Sequence, residues 1–280
     1  MTASDPTVHL VCNPKAAIGE SPIRIEGRGT FWVDPLAPRL LRFGTELEEV
    51  ALDRPVWSLA ASPTGTVAGT LDTSFCVIDI ATGDICAGPA ADVEAGCRLN
   101  DMAVDPAGGL WAAAMHRGAL AGRGAIFHSR APDAPPTCVA RGHGIPNGMA
   151  FTPDGSILYM VDTLTRTLLA HPVDPDRGNL GEPFIVSDFM NVPGKPDGMT
   201  ISAEGTFWVA MWGGGCIVEI GRDGAVLREI GVPAPHVSSL CFAGAEKLHV
   251  TTSRMRLSPR QLAEWPGSGG LFAVDLDSGR

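Results

Sequence analysis

The chain has 280 residues, 45% of them apolar, and carries a formal net charge of −10. That is apolar content enough for a core. The 21 Lys and Arg are scattered rather than clustered, which excludes the concentrated positive patch of a nucleic-acid surface. No run reaches the 18 consecutive apolar residues of a membrane span, and the opening MTASDPTVHLVCNPK lacks the basic and apolar regions of a secretory signal.

In chain order, Val8–Cys12 reads as a lone strand. A repeating hairpin follows, with units I-R-I-E-G-R-G-T-F-W-V from Ile23, L-A-A-S-P-T-G-T-V-A-G from Leu59 and M-A-V-D-P-A-G-G-L-W-A from Met102. The series continues with M-A-F-T-P-D-G-S-I-L-Y from Met149, M-T-I-S-A-E-G-T-F-W-V from Met199 and L-C-F-A-G-A-E-K-L-H-V from Leu240. Each is two alternating apolar runs around a polar turn, with Gly29, Gly65, Gly108, Gly155 and Gly205 at the turn in five copies and Glu246 in the sixth. Between hairpins lie further strand-like runs, Phe75–Ile80, Ala125–His128, Leu168–Pro172 and Cys216–Ile220, that supply outer strands. Ser258-Pro259 is the only helix-start signal, for a short helix reaching Trp265. A strand-type repeat of roughly 40–50 residues is the mark of propeller blades. The expected fold is therefore all-β, a six-bladed β-propeller spanning 1–280 as one domain. Its last blade holds Leu240–Phe242, Leu248–Thr252 and Leu271–Leu276, and the N-terminal strand closes the ring.

Seven cysteines, odd in number and without a CxxC, argue against a disulfide framework and a thiolate zinc site. They read as buried apolar filler in a reducing cytoplasm.

In a propeller, the residues just before the first strand of each hairpin converge on the central channel. Two positions before each start stand Trp57, Asn100, Asn147, Asp197 and Ser238, while Glu20 lies three before Ile23, one residue out of step beside Pro22. A lone Asn-Gly or Asp-Gly is ordinarily only a turn. Its recurrence at one place in the repeat argues for a ring of polar groups. Two carboxylates across a narrow channel resist ionising together, and a divalent cation relieves that repulsion. Carboxylate and amide oxygens suit calcium, magnesium or manganese and accept zinc or iron(II). Trp57 and Ser238 read as packing, and Asp34, Asp105, Asp154 and Glu204 as solvent-facing residues in or near turns. Arg98 shares a strand face with Asn100, so it is available to a substrate, or else to a salt bridge with Asp101 or Glu94. His116, Trp212 and His236 are further candidates for the pocket wall. No nucleophile elbow, phosphate loop or dinucleotide-binding pattern is present, which leaves metal-assisted hydrolysis.

These residues carry a resemblance. G-E-S-P from Gly19, R-L-N-D-M-A-V-D-P-A-G-G-L-W from Arg98, P-N-G-M-A-F-T-P-D-G from Pro146, P-D-G-M-T-I from Pro196, W-V-A-M-W-G-G-G from Trp208 and T-T-S-R from Thr251 run in family order. The chain resembles the SMP-30/gluconolactonase/LRE family of regucalcin-like sugar lactonases. The resemblance implies one divalent metal (Ca2+, Zn2+, Mn2+ or Fe2+) on Glu20, Asn147 and Asp197, with Asp197 also the general base. It implies Arg98 and Asn100 as substrate contacts, and His116 is added to them as a pocket residue. The implied activity is opening of an aldonolactone to the aldonate, by a cytoplasmic monomer or weak homo-oligomer acting on a small molecule, with no nucleic-acid or membrane partner. A calcium-binding regulatory propeller and an organophosphate hydrolase are the rival readings on the same scaffold. E-S-P replaces the usual E-G-P, N-D-M replaces N-D-G, and the segment after Met115 is short; these departures bear on the substrate more than on the metal.

Overall fold

The computed structural model describes residues 6–62, 65–174 and 178–276. Pro63 and Thr64, assigned from sequence to the second hairpin turn, and the ends of the 1–280 span lie outside the described residues. After β1 (Thr7–Cys12), blade 1 comprises β2 (Glu20–Ile25), β3 (Gly29–Asp34), β4 (Arg39–Phe43) and β5 (Leu47–Ala51). Blade 2 comprises β6 (Ser58–Ala61), β7 (Val67–Thr70), β8 (Ser74–Ile78) and β9 (Ile85–Ala90). Blade 3 holds β10 (Cys97–Val104), β11 (Leu110–His116), β12 (Gly124–Ser129) and β13 (Thr137–His143). In blade 4, β14 (Pro146–Phe151), β15 (Ile157–Asp162) and β16 (Thr167–Asp174) are followed by two short partners of β16, namely β17 (Asn179–Leu180) and β18 (Phe184–Asp188). Blade 5 is β19 (Lys195–Ile201), β20 (Phe207–Trp212), β21 (Cys216–Ile220) and β22 (Val226–Gly231). Blade 6 takes β23 (Val237–Gly244), β24 (Lys247–Thr252), β25 (Leu271–Asp275) and, outermost, β1. The six sheets form a six-bladed β-propeller.

Ring closure is as the sequence led us to expect: β1 runs antiparallel to β25, from Thr7 opposite Asp275 to Cys12 opposite Leu271. All five hairpin glycines have positive φ, from 71° at Gly155 to 111° at Gly29, the left-handed backbone that such turns need. The short helix is also present as α1 (Pro259–Glu264), with Ser258 and Gln261 forming a reciprocal capping box. The outer runs read from sequence proved to be third strands. The fourth strands β5 and β22 escaped notice because their residues are mostly half-buried or exposed and carry little apolar alternation.

The core is divided into wedges between neighbouring blades. Phe31, Val33 and Leu40 of blade 1 meet Leu59, Val67 and Ile78 of blade 2. Trp111 and Ile126 of blade 3 meet Met149, Leu158 and Met160 of blade 4, and Trp32 and Leu41 of blade 1 meet Leu271 of blade 6. Each sheet is covered on both faces, so β3 is buried at all six residues rather than alternating. Among the cysteines, Cys76, Cys97, Cys216 and Cys241 are buried, whereas Cys12 and Cys138 are half-buried and Cys86 is exposed. The filler reading therefore fails for Cys86, on the solvent-facing fourth strand β9.

Candidate metal and substrate site

The innermost strands of blades 1, 3, 4, 5 and 6 are each interrupted near the axis, whereas β6 of blade 2 pairs with β7 in unbroken register. Register shifts fall between Glu20 and Ile23, Leu99 and Met102, Asn147 and Met149, Pro196 and Met199, and Val237 and Ser239. A bulge at this point bends the strand and re-aims its side chains toward the channel. The register also explains the offset of Glu20. Glu20 pairs with Val33 two residues beyond Phe31, just as Pro196 pairs with Met211 two beyond Val209. The true counterpart of Asp197 in blade 1 is thus Ser21, which lies in the left-handed region at φ 48°. Glu20 reaches the site from one residue further out.

Asn147 and Asp197 are in direct contact, the Asn147 Nδ2 donating to Asp197 Oδ1. The following glycines permit that closeness. A side chain at Gly148 (φ 33°) would press on the Asp197 carbonyl and on Met199, and one at Gly198 would strike Ser239. Asp197 is only 7% exposed. Burial, then repulsion from Asp101, push its carboxyl well above the ordinary range, against the Asn147 hydrogen bond and Arg98. Glu20 is raised well above its ordinary value by burial and by the Asp197 and Asp101 charges, with Arg98 and a Ser21 hydrogen bond opposing. A buried Asp197 carboxylate, a half-buried Glu20 carboxylate whose ionisation it hinders, and the side-chain amide of Asn147 make a donor set that fits a hard divalent cation. Among the described residues no group of three or more His, Cys, Asp or Glu side chains is placed to hold a metal. The candidate centre reaches three donors only by counting the Asn147 amide.

Opposite this trio stands a preorganised cation. The Arg98 guanidinium lies 3.6 Å from the centroid of the Trp57 ring and donates through Nη1 to Asn100 Oδ1 and the Leu99 carbonyl, each at 2.8 Å. Trp57 in turn donates its indole N–H to Asp72 at 2.9 Å, and Arg117 pairs with the same Asp72 oxygen at 2.9 Å. Burial and the neighbouring Arg117 lower the Arg98 pKa to about 10, with Glu20, Asp72 and Asp197 pulling the other way. Neither salt bridge expected from sequence for Arg98 forms: Glu94 pairs with Arg123 at 2.6 Å, and Asp101 receives hydroxyls instead.

Asp101 closes the channel beneath the ring. It accepts Ser58 Oγ at 2.7 Å, Ser21 Oγ at 3.3 Å and the Met102 N–H at 2.9 Å. Burial raises its pKa although these bonds and one from the Met149 backbone oppose it. Below it the channel widens into a cavity of about 320 Å³ lined by the inner strands, including Met102, Met149 and Met199.

Of the sequence candidates, Glu20, Asn147 and Asp197 cluster with Arg98 and Asn100. His116 lies opposite Cys97 in the β10–β11 register, next to the position of Arg98; its Nδ1 accepts the Gly118 N–H at 3.0 Å, and among the described residues no hydrogen bond joins it to Glu20, Asn147, Asp197, Arg98 or Asn100. Trp212 and His236 stack at 4.4 Å beside blades 5 and 6. Trp57, taken as packing, is the platform for Arg98. Asp34, taken as solvent-facing, is 1% exposed. It is the last residue of β3 rather than a turn residue, and it accepts the backbone N–H groups of Ala17 and Ile18 that lead to Glu20. Asp162 at the end of β15 does the same for Gly144 and Ile145, ahead of Asn147. The shared W-V-D and M-V-D endings of the two strands were the available signal. Asp105 is half-buried and accepts the Trp111 indole N–H at 2.9 Å, whereas Asp154 and Glu204 are exposed as expected.

Comparison with known proteins matches residues 18–254 to the model of the SMP-30/Gluconolactonase/LRE-like region. The chain is 35% identical over 257 residues to pentonolactonase XacC of Haloferax volcanii, covering 88% of this chain and 85% of that one. It is 29% identical to regucalcin of Homo sapiens, covering 95% and 93%. A solved calcium-binding protein, regucalcin from Agrobacterium tumefaciens, superposes with a TM-score of 0.87 at 26% identity, covering 99% of this chain and 96% of that one.

Proposed function

The chain belongs to the SMP-30/gluconolactonase/LRE-like family, and from that premise we propose that it is a lactonase, a carboxylic-ester hydrolase that opens a sugar-acid lactone to the free aldonate. The observation that carries this reading is the meeting, at one channel mouth, of Glu20, Asn147 and the buried Asp197 with an oriented Arg98–Asn100 pair. The relative named pentonolactonase favours a five-carbon lactone.

Glu20, Asn147 and Asp197 would hold one divalent cation. When bound, the cation supplies a Lewis acid that draws electron density from the lactone carbonyl. Asp197 accepts a proton from the attacking water, a role suited to a carboxylate whose basicity burial has raised. The water oxygen bonds to the carbonyl carbon, the ring C–O bond breaks, and the leaving alkoxide takes up the proton that Asp197 accepted, which restores the carboxylate. Arg98, stacked on Trp57 and tied to Asn100, binds substrate hydroxyls in a fixed orientation, so little freedom is lost on binding.

The test is to strip the protein with chelator, restore calcium, zinc, manganese or iron(II) singly, and follow acid release from a panel of pentono- and hexonolactones. Metal-dependent turnover is expected. A metal-induced rise in melting temperature with no hydrolysis of any lactone would instead favour a calcium-binding regulator, the reading suggested by the relatives named regucalcin.

A further inference from the structure

The largest cavity described, about 530 Å³, lies away from the channel, between β13 of blade 3 and β15 and β16 of blade 4. It exists because the outer edge of blade 4 is split. β17 pairs with Val173 and Asp174, β18 pairs with Thr167 through Ala170, and the chain between them leaves the sheet beside His171. His171 is 1% exposed, and neither of its ring nitrogens has a partner within hydrogen-bonding geometry. His143, at the end of β13, faces it edge-on with ring centroids 5.5 Å apart. Among the described residues the His143 ring makes no hydrogen bond either. A buried imidazole without partners is costly, and His171 shares its cavity wall with the half-buried His143 ring, so one ligand can serve both.

Burial keeps both rings neutral at ordinary pH, with the His171 pKa lowered to about 4 and that of His143 lowered as well. A neutral imidazole offers one lone pair, and its remaining N–H needs an acceptor. Metal-ligating histidines ordinarily give that N–H to a carbonyl or carboxylate. The Gly181 carbonyl is near enough to His171, and the Asp162 carboxylate to His143, for each to pull the ring's pKa upward. Glu182 on the rim adds an oxygen donor to the same cavity.

We propose that His143 and His171 form a second metal site, for a borderline divalent transition-metal ion such as zinc, nickel or copper, in the cleft between blades 3 and 4. Two imidazole nitrogens select these ions over calcium or magnesium, which the all-oxygen channel trio suits. No third His, Cys, Asp or Glu is in ligand position among the described residues, so water completes the shell unless Glu182 turns inward.

The experiment keeps the channel site saturated with calcium and titrates copper(II), read by electron paramagnetic resonance, and zinc, read by calorimetry. Wild type should bind one equivalent of copper coupled to two imidazole nitrogens. His143→Gln and His171→Gln should each lose that two-nitrogen signal and weaken zinc binding at least tenfold, with circular dichroism and melting temperature reporting on folding. His143 is half-buried at a strand end, so His143→Gln is the variant that decides if His171→Gln fails to fold. A folded His143→Gln protein with an unchanged copper signal and zinc affinity within twofold of wild type would overturn the proposal, as would a wild type with no nitrogen-coordinated copper.

Discussion

Blades 1, 4 and 5 and blades 2 and 3 face each other across one channel mouth and hold their polar groups in opposite ways. On the first side, the carboxyls of Glu20 and Asp197 are both pushed up, Glu20 by burial and the Asp197 and Asp101 charges and Asp197 by burial and Asp101, and the loops leading to Glu20 and Asn147 are pinned by the carboxylates of Asp34 and Asp162. On the second, Arg98 is satisfied: a ring beneath it, an amide and a carbonyl beside it, and Asp72 behind the ring. One side is rigid in backbone but short of positive charge; the other is complete as it stands. That difference suits the proposed roles, a cation on the first side and a neutral polyol on the second, because only a cation site benefits from unmet charge.

The sharpest way to break the comparison is Asp197→Ala, which removes the proposed base and one proposed ligand together. Lactone turnover should fall by about 10³-fold or more, and the metal-induced rise in melting temperature should vanish. Steady-state kinetics and thermal melts with and without metal check both; an active variant would remove Asp197 from the chemistry. Asp162→Ala leaves every ligand in place but strips the acceptor from two buried N–H groups. A loss of about 2–4 kcal/mol in stability is expected by urea unfolding, with weaker metal binding and unchanged KM for whatever enzyme is fully loaded. On the opposite side, Trp57→Leu removes the platform under Arg98. A rise of about tenfold in KM with metal affinity intact is expected, since a buried cation–π contact contributes up to about 2 kcal/mol. Asp72→Asn should do least. The exposed Arg117 pair is worth about 0.2–1 kcal/mol, so a rise in KM of about fivefold at most is expected, fading at high salt. If the two blade 2 variants altered metal affinity instead of KM, the division into two sides would be wrong.

Much of the fold could be read directly from the chain. The six hairpins announced themselves through Gly29, Gly65, Gly108, Gly155 and Gly205, whose positive φ no other residue type adopts as freely. Asn147-Gly148 and Asp197-Gly198 stood out because their place in the repeat was shared. Asp34 and Trp57 were misjudged for a common reason. A carboxylate that ends a strand and one that sits in a turn look alike in sequence, and an indole that packs is written the same as one that carries a guanidinium. Asp101 escaped for a related reason: its partners Ser58 and Ser21 come from other blades.

The sequence by itself determined the blade count and the closing strand, because each follows from local periodicity and the chemistry of short turns. Only the tertiary structure decided which polar residues touch. Glu20, Asn147 and Asp197 lie on three blades far apart along the chain, and the hydrogen bond from Asn147 to Asp197 and the repulsion of Glu20 by Asp197 arise only when six wedges close around one axis. The same closure, with a split edge in blade 4, is what sets His143 against His171.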